Sequence, residues 1–139
     1  MKRIFVYGSL RRGEVNHERF KGFGDVLVGT GAVSGALLKN LGDYPTMVRS
    51  ANDLDRVVGE VYEIPDGLAD RIDRFEREAD YEAHVVTVMC ESGESPARIE
   101  AVAYFFAYPE RLDHHETVKD GDWARHEHIR QPLGARDGD

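Results

Sequence analysis

The sequence contains little cysteine. Its single cysteine, Cys90, cannot form a disulfide within the chain, which excludes a disulfide-stapled scaffold. Because Cys90 falls in a strand-like apolar stretch, we interpret it as a buried, inert thiol and not as a nucleophile. Nothing in this cysteine usage indicates an oxidising compartment, so we expect a cytoplasmic protein.

Positive charge and long apolar runs are also scarce. Lysine and arginine number 18 against 26 aspartates and glutamates, which gives a formal net charge of -8. This charge repels phosphate backbones and anionic membrane surfaces. The apolar stretch before Gly8 is too short for a signal-peptide core, and no segment approaches membrane-spanning length. We therefore expect neither nucleic acid nor a membrane as a partner.

The length and composition are those of a single globular domain. The chain has 139 residues, of which 41% are hydrophobic, enough to bury a core without disulfides or metals. We expect residues 1–129 to form this domain. Residues 130–139 contain Pro132 and little apolar content, which predicts a flexible tail.

Most apolar runs are continuous and do not alternate with polar residues. Continuous runs of Val, Ile, Phe and Tyr are typical of strands that are covered on both faces. A closed or curled β-architecture would cover them in this way. The predicted strands are residues 4–6, 26–28, 57–64, 84–90 and 101–108.

Between residues 66 and 80 the apolar residues recur with the spacing of a helix, and a helix is predicted there. Leu68, Ile72 and Phe75 are spaced as the buried face of a helix, and the turn-forming residues 65–67 precede them. We expect all three side chains to face the sheet. Weaker patterns predict two further helices, over residues 14–21 and 123–128.

The geometry of this helix singles out Glu76. At about 100° per residue, Glu76 lies only about 40° from Ile72, inside the apolar arc, whereas Asp73 lies at its edge, near 100°. Burial and the negative end of the helix dipole would both raise the pKa of Glu76, as a proton shuttle near neutral pH requires. Two orientations remain open: Glu76 faces inward, or the helix frays first and Glu76 points to solvent. Asp73 is the weaker competitor for the same role.

A second candidate site is the stretch VYGSL at residues 6–10, where the first predicted strand ends. Gly8 and Ser9 after a strand are typical of a turn. The same residues could also form a loop whose consecutive backbone N–H groups bind a carboxylate or a developing oxyanion. The residues alone leave both interpretations open.

Two other motifs are weaker candidates. The glycines of residues 29–35 imitate a dinucleotide-binding fingerprint, but Gly42 and Pro45 follow too soon for the crossover helix that this motif needs, so we expect bends of a curved sheet. Residues 114–116 and 126–128 are rich in histidine, but they lack the i, i+4 spacing of a zinc helix and are interpreted as solvated segments. We expect no metal.

Several short motifs occur in order between residue 4 and about residue 123. They are Val6-Tyr7-Gly8-Ser9-Leu10, Tyr44-Pro45, Gly59-Glu60-Val61-Tyr62, Ile72-Asp73-Arg74-Phe75-Glu76, Tyr81, Ala103-Tyr104 and Gly121-Asp122-Trp123. Each motif alone is weak evidence for any family. As an ordered set they resemble the gamma-glutamylcyclotransferase-like family, and within it the small bacterial and gamma-glutamylamine cyclotransferase (AIG2-like) branch.

The resemblance implies an α+β (mixed α/β) fold, a small mixed β-barrel flanked by a few short helices, with the pocket at one end of the barrel. It implies an enzyme that converts a small gamma-glutamyl amide to 5-oxoproline and a free amine. No metal and no organic cofactor are expected, and the protein is expected to be a monomer or a homodimer.

The resemblance also assigns roles to residues. Glu76 corresponds to the catalytic acid/base of the family, and the remaining positions to its substrate pocket. The residues expected to cradle the gamma-glutamyl group or to line the wall of the pocket are Tyr7, Gly8, Ser9, Leu10, Tyr81 and Tyr104.

Two departures from the family pattern keep other functions open. Arg77 stands where the family often has glycine, and Ala83 stands where it often has an arginine that could support the site. These departures favour the alternative of a non-catalytic small-molecule binding module on the same fold. A hydrolase with Ser9 as nucleophile is a further alternative, but it lacks an identifiable histidine partner.

Overall fold

The computed structural model describes residues 1–7, 26–42, 44–90 and 97–123. The predicted loop at residues 8–10, the helix over 14–21, most of the helix over 123–128 and the tail over 130–139 lie outside these ranges. The elements are β1 (Lys2–Val6), β2 (Val26–Ser34), β3 (Ala36–Asn40), β4 (Pro45–Arg49), β5 (Arg56–Ile64), α1 (Asp66–Glu78), β6 (Tyr81–Cys90) and β7 (Ala97–Phe106), followed by short 3-10 turns at Pro109–Leu112 and Lys119–Gly121.

Five of the strands close into a barrel in the order β1-β5-β2-β6-β7. The sheet is mixed, because β1 runs antiparallel to β5 but parallel to β7, where Ile4 lies opposite Val102. The strands β3 and β4 form a separate two-stranded hairpin. The predicted α+β fold with a small mixed β-barrel is therefore confirmed.

The strands β1 and β5 are buried on both faces over most of their length, which explains their continuous apolar sequences. The strand β6 instead alternates between exposed and buried residues from Val85 onward, so its continuous apolar sequence was wrongly expected to be covered on both faces. Phe5 points into the barrel interior, where it packs with Val57, Val61 and Ala103. Its neighbour Ile4 points outward into a second core, which lies between the barrel and α1. The outer core consists of Ile4, Val6, Tyr62, Ile64, Leu68 and Tyr104.

The glycine-rich stretch lies in β2 and in the turn that follows it. A register shift between Leu27 and Gly29 bends the strand, and Gly35 adopts a left-handed φ of 72° before β3 begins. No helix follows this stretch in the described part of the chain, since β3 comes next. The structure therefore agrees with bends of a curved sheet.

The helix α1 begins after Pro65 and carries Asp66 in its first turn and Arg77 in its last, which complements the helix dipole. It ends at Glu78, two residues earlier than predicted. Asp80 then adopts a left-handed φ of 69°, and its carbonyl oxygen accepts a hydrogen bond from the Ala107 N–H at 2.9 Å. This turn leads directly into β6.

One sequence prediction about this helix is wrong. Phe75 was expected to face the sheet, but it is 58% exposed. Leu68 is buried, and Ala69 and Ile72 pack against the outer core. The packed face is therefore turned away from Phe75 and towards Glu76. The spacing of apolar residues shows which side chains could share one face of the helix. Which of them are buried depends on how the helix packs against the sheet.

No helix within the described ranges combines the length and the apolar character that a membrane crossing requires.

Candidate active site

Four of the predicted site residues meet at one end of the barrel. Tyr7 follows β1, Tyr81 is the first residue of β6, Tyr104 lies near the end of β7, and Glu76 lies in the last turn of α1. The charge of the Glu76 carboxylate contributes to a raised pKa at all three phenols, so the four groups share one electrostatic neighbourhood.

Glu76 has the environment of a proton carrier. The helix continues through Glu76 and the side chain is half-buried, as the inward orientation requires. Burial disfavours the charged form and raises the pKa of Glu76 to about 7. A carboxyl with this pKa exchanges protons readily near neutral pH.

Asp73, the other candidate on the helix, has a different environment. The hydrogen bond from the Arg77 guanidinium, with Nε 2.8 Å from Asp73 Oδ2, lowers the pKa of Asp73 below its usual value. The hydroxyl of Tyr104 donates to the other oxygen, Oδ1, at 2.9 Å. Asp73 therefore stays ionised near neutral pH, and Glu76 is the stronger candidate for an acid/base group.

Tyr7 links the barrel to the β3–β4 hairpin. Its hydroxyl donates to the carbonyl oxygen of Tyr104 at 3.4 Å and accepts from the N–H of Met47 at 3.4 Å. Its ring packs against Phe5 with a centroid distance of 6.5 Å. Burial, followed by Tyr81 and Glu76, raises the pKa of Tyr7 well above its usual value, so the phenol stays protonated.

Tyr81 contacts a residue that the sequence analysis missed. The hydroxyl oxygens of Tyr81 and Thr46 lie 2.7 Å apart, and Thr46 is fully buried. Burial raises the pKa of Tyr81 to about 12. Thr46 lies in β4, a strand that the apolar pattern did not predict, so no sequence signal connected it with Tyr81.

The two departures from the family pattern lie close to Tyr104. Ala83 is directly opposite Tyr104 across the β6–β7 pair. The Arg77 guanidinium binds Asp73, and its charge partly offsets the rise in the pKa of Tyr104. The helix thus supplies a guanidinium near Tyr104, although position 83 holds alanine in place of the arginine that is common in the family.

The other candidates from the sequence lie apart from these four residues or outside the described ranges. Gly8, Ser9 and Leu10 fall outside the described ranges, so their contribution stays a prediction. The described residues contain no group of three or more His, Cys, Asp or Glu side chains that could hold a metal ion. Cys90 is a buried free thiol whose pKa is raised by burial.

The comparisons with known proteins identify the family. A family model described as gamma-glutamyl cyclotransferase, AIG2-like, matches residues 4–125. The chain therefore belongs to the AIG2-like gamma-glutamyl cyclotransferase family, which confirms the resemblance found in its sequence.

Individual relatives are consistent with this membership. The chain is 35% identical over 111 residues to a protein of Methanocaldococcus jannaschii provisionally named a gamma-glutamylcyclotransferase, covering 79% of this chain and 87% of that protein. It is 37% identical over 76 residues to the gamma-L-glutamyl-butirosin B gamma-glutamyl cyclotransferase of Niallia circulans, covering 55% of this chain but only 46% of that protein.

A solved structure supports the fold. The crystal structure of an AIG2-like protein from Mus musculus superposes with a TM-score of 0.71 at 23% identity, covering 84% of each chain. At this identity the likeness concerns the fold.

Proposed function

We propose that this chain is a gamma-glutamylcyclotransferase in which Glu76 is the general acid/base. The observation that carries the proposal is a half-buried carboxyl with a pKa of about 7, at the end of a barrel where three phenols converge. Family membership and the names of the two sequence relatives support the same activity.

The reaction needs a folded-back substrate and one group that moves protons. The α-amine of a gamma-glutamyl amide attacks its own γ-carbonyl carbon and closes a five-membered ring. The bond to the leaving nitrogen then breaks, which gives 5-oxoproline and a free amine. Because the nucleophile is tethered, holding the reactive conformer supplies much of the rate acceleration.

Glu76 carries out two proton transfers of this reaction, one after the other. As a carboxylate it takes a proton from the α-ammonium group while the amine attacks. As a carboxylic acid it then gives that proton to the leaving nitrogen as the C–N bond breaks, and the ring nitrogen passes its remaining extra proton to the released amine, which leaves as an ammonium ion. A pKa of about 7 allows both steps at neutral pH, whereas the ionised Asp73 is too weak a base for the first.

The other residues expected at the end of the barrel would form the walls and the anion-binding part of the pocket. Tyr7, Tyr81 and Tyr104 would form its wall. The backbone N–H groups of residues 8–10 would bind the gamma-glutamyl carboxylate or the oxyanion of the tetrahedral intermediate.

Product analysis tests this proposal. The protein is incubated with a panel of gamma-glutamyl amines and gamma-glutamyl dipeptides, and 5-oxoproline is quantified by mass spectrometry. Loss of a general acid/base typically costs about 10²- to 10⁴-fold in rate, and we expect Glu76→Gln to lose at least about 100-fold. The matched control is Glu78→Gln, an exposed glutamate two residues further along the same helix, which should keep wild-type activity.

Three outcomes contradict the proposal. Undiminished 5-oxoproline formation by Glu76→Gln removes the role of Glu76. A ligand from the panel that raises the melting temperature without being consumed favours the non-catalytic binding module. Ser9→Ala should keep full activity, since the tethered amine is the nucleophile. A loss of activity in this variant would favour the hydrolase alternative.

A further inference from the structure

The phenol proton of Tyr104 is committed to a single acceptor. Tyr104 is only 7% exposed, and its hydroxyl donates to Asp73 Oδ1 at 2.9 Å. An ionised carboxylate can only accept hydrogen bonds. The direction of this bond is therefore fixed: the proton of Tyr104 points to Asp73 as long as Asp73 is charged.

Asp73 is itself held in place from the helix. The Arg77 Nε lies 2.8 Å from Asp73 Oδ2, one helical turn away, so the two carboxylate oxygens serve two different donors. The two side chains line an open groove together with Asp70, Arg74 and Glu78. Contact with solvent and the guanidinium both keep Asp73 charged.

This arrangement matters because Tyr104 is a neighbour of Glu76. Within the described residues the carboxylate of Glu76 makes no hydrogen bond or ion pair, and burial is the cause of its raised pKa. A phenol proton directed at Glu76 would stabilise its charged form and lower that pKa. Among the phenols around Glu76, that of Tyr7 donates to a backbone carbonyl and that of Tyr104 donates to Asp73.

We propose that Asp73 is a positioning residue: by accepting the phenol proton of Tyr104, it keeps that proton away from Glu76 and leaves the phenol oxygen with only lone pairs to offer. The inference rests on the proposed function for its chemical meaning. An oxygen that can only accept is suited to the α-ammonium group of a gamma-glutamyl substrate, which donates. Asp73 thus acts through Tyr104 and does not touch the reacting atoms.

The charged and titratable groups near Glu76 come from the ends of three barrel strands and from α1. Tyr7 follows β1, Tyr81 begins β6, Tyr104 lies in β7, and Asp73 and Arg77 lie on α1 itself. Removing Asp73 changes two things at once: it frees the proton of Tyr104 and it removes a negative charge near Glu76. Both changes lower the pKa of Glu76, so a single variant does not separate them.

A double-mutant cycle separates them. The variants are Asp73→Ala, Tyr104→Phe and the double variant, and the pKa of Glu76 is measured in each by NMR titration of its side-chain carboxyl carbon. We expect Asp73→Ala to lower this pKa by about one unit, the effect of one new hydrogen bond to a carboxylate. In the Tyr104→Phe background, which has no phenol proton to release, Asp73→Ala should shift the pKa much less.

The NMR titration also keeps this inference distinct from the proposed function, because it needs no substrate. If no gamma-glutamyl compound is consumed, the proposed function fails while the pKa cycle still decides the role of Asp73. If substrates are consumed, the acidic limb of the kcat/KM profile should move with the NMR pKa.

An equal shift in both backgrounds would show that Asp73 acts only through its charge, and no shift in the wild-type background would remove its role altogether. Either result overturns the inference. Thermal melting of each variant confirms that the folded state is being compared.

Discussion

The hydroxyl oxygens of Thr46 and Tyr81 lie 2.7 Å apart and join the β3–β4 hairpin to the first residue of β6. Thr46 is fully buried, so its hydroxyl has no access to bulk water. The contact fixes the phenol of Tyr81 close to Glu76, whose charge contributes to the raised pKa of that phenol. The hairpin therefore completes one wall of the candidate site, although it lies outside the barrel.

Thr46→Val should destabilise the protein and weaken catalysis. Valine has the shape of threonine but leaves the phenol of Tyr81 without its partner, which costs about 1–3 kcal/mol for a buried polar group. Urea unfolding measures this loss, and 5-oxoproline formation measures the effect on activity. Thr46→Ser keeps the hydroxyl and should retain most of the activity. Equal activity of the valine and serine variants would contradict a positioning role for this hydroxyl.

The raised pKa of Glu76 predicts a specific pH dependence of stability. The pKa is about 7 in the folded protein against an ordinary value of 4.5, so the folded state binds the proton more tightly than the unfolded state. The stabilisation is complete below about pH 4.5 and is lost as the pH rises through 7, a change of about 3 kcal/mol. Glutamine at this position stays neutral and removes the dependence.

Urea unfolding of wild type and Glu76→Gln at pH 5 and pH 8 tests this prediction. Relative to wild type, Glu76→Gln should gain about 2–3 kcal/mol in free energy of unfolding between pH 5 and pH 8, because most of the stabilisation by Glu76 is still present at pH 5 and absent at pH 8. Glu78→Gln controls for a change of charge at an exposed position on the same helix. A difference between Glu76→Gln and wild type that is the same at both pH values would contradict the burial of an ionisable Glu76.

The barrel strands and the position of Glu76 could be predicted because their signals are local. The strands β1 and β5 carry the apolar pattern in their own residues because both of their faces are buried, and helical geometry alone turns Glu76 towards Ile72. The hairpin could not be predicted in the same way. Its strands are five residues long and pair with each other, and β4 begins with Pro45, which is unfavourable inside a sheet.

The contacts that organise the site depend on tertiary structure. Thr46 and Tyr81 are 35 residues apart in sequence, and Asp73 and Tyr104 are 31 apart. Neither pair belongs to one periodic segment, so no pattern connects its members. Phe75 shows the same limit: the spacing included it in the apolar face, and packing on the barrel excluded it.

Gly59 is predicted to be essential for the position of Tyr7. A side chain at Gly59 would collide with the carbonyl oxygen of Val6 and the ring of Phe5, the residues that immediately precede Tyr7. We expect Gly59→Ala to lower the free energy of unfolding by about 1–3 kcal/mol, as overpacking in a core does. It should also reduce activity through the displacement of Tyr7.

Gly67→Ala is the matched control for this prediction. A methyl group at Gly67 meets nothing within 4 Å, and the residue lies in α1. Alanine should therefore raise the free energy of unfolding by up to about 1 kcal/mol. Urea unfolding of the two variants should show opposite signs, and a stabilising Gly59→Ala would refute the close approach of β5 to the end of β1.

The turn at Asp80 sets the position of Glu76 relative to Tyr81. Asp80 has a left-handed φ of 69°, its N–H donates to the carbonyl oxygen of Arg77 at 3.1 Å, and its own carbonyl oxygen accepts from Ala107. Aspartate tolerates this conformation better than most residues, whereas a β-branched side chain is strained there. Asp80→Val should therefore lower the free energy of unfolding by about 1–2 kcal/mol.

Asp80→Gly removes the same carboxylate without this strain, since glycine adopts a positive φ freely. Because the turn carries both the end of α1 and the start of β6, the valine variant should also lose more kcat/KM than the glycine variant. Urea unfolding and 5-oxoproline formation measure the two effects side by side. If valine and glycine reduce stability and activity equally, the carboxylate of Asp80 matters and the conformation of the turn does not.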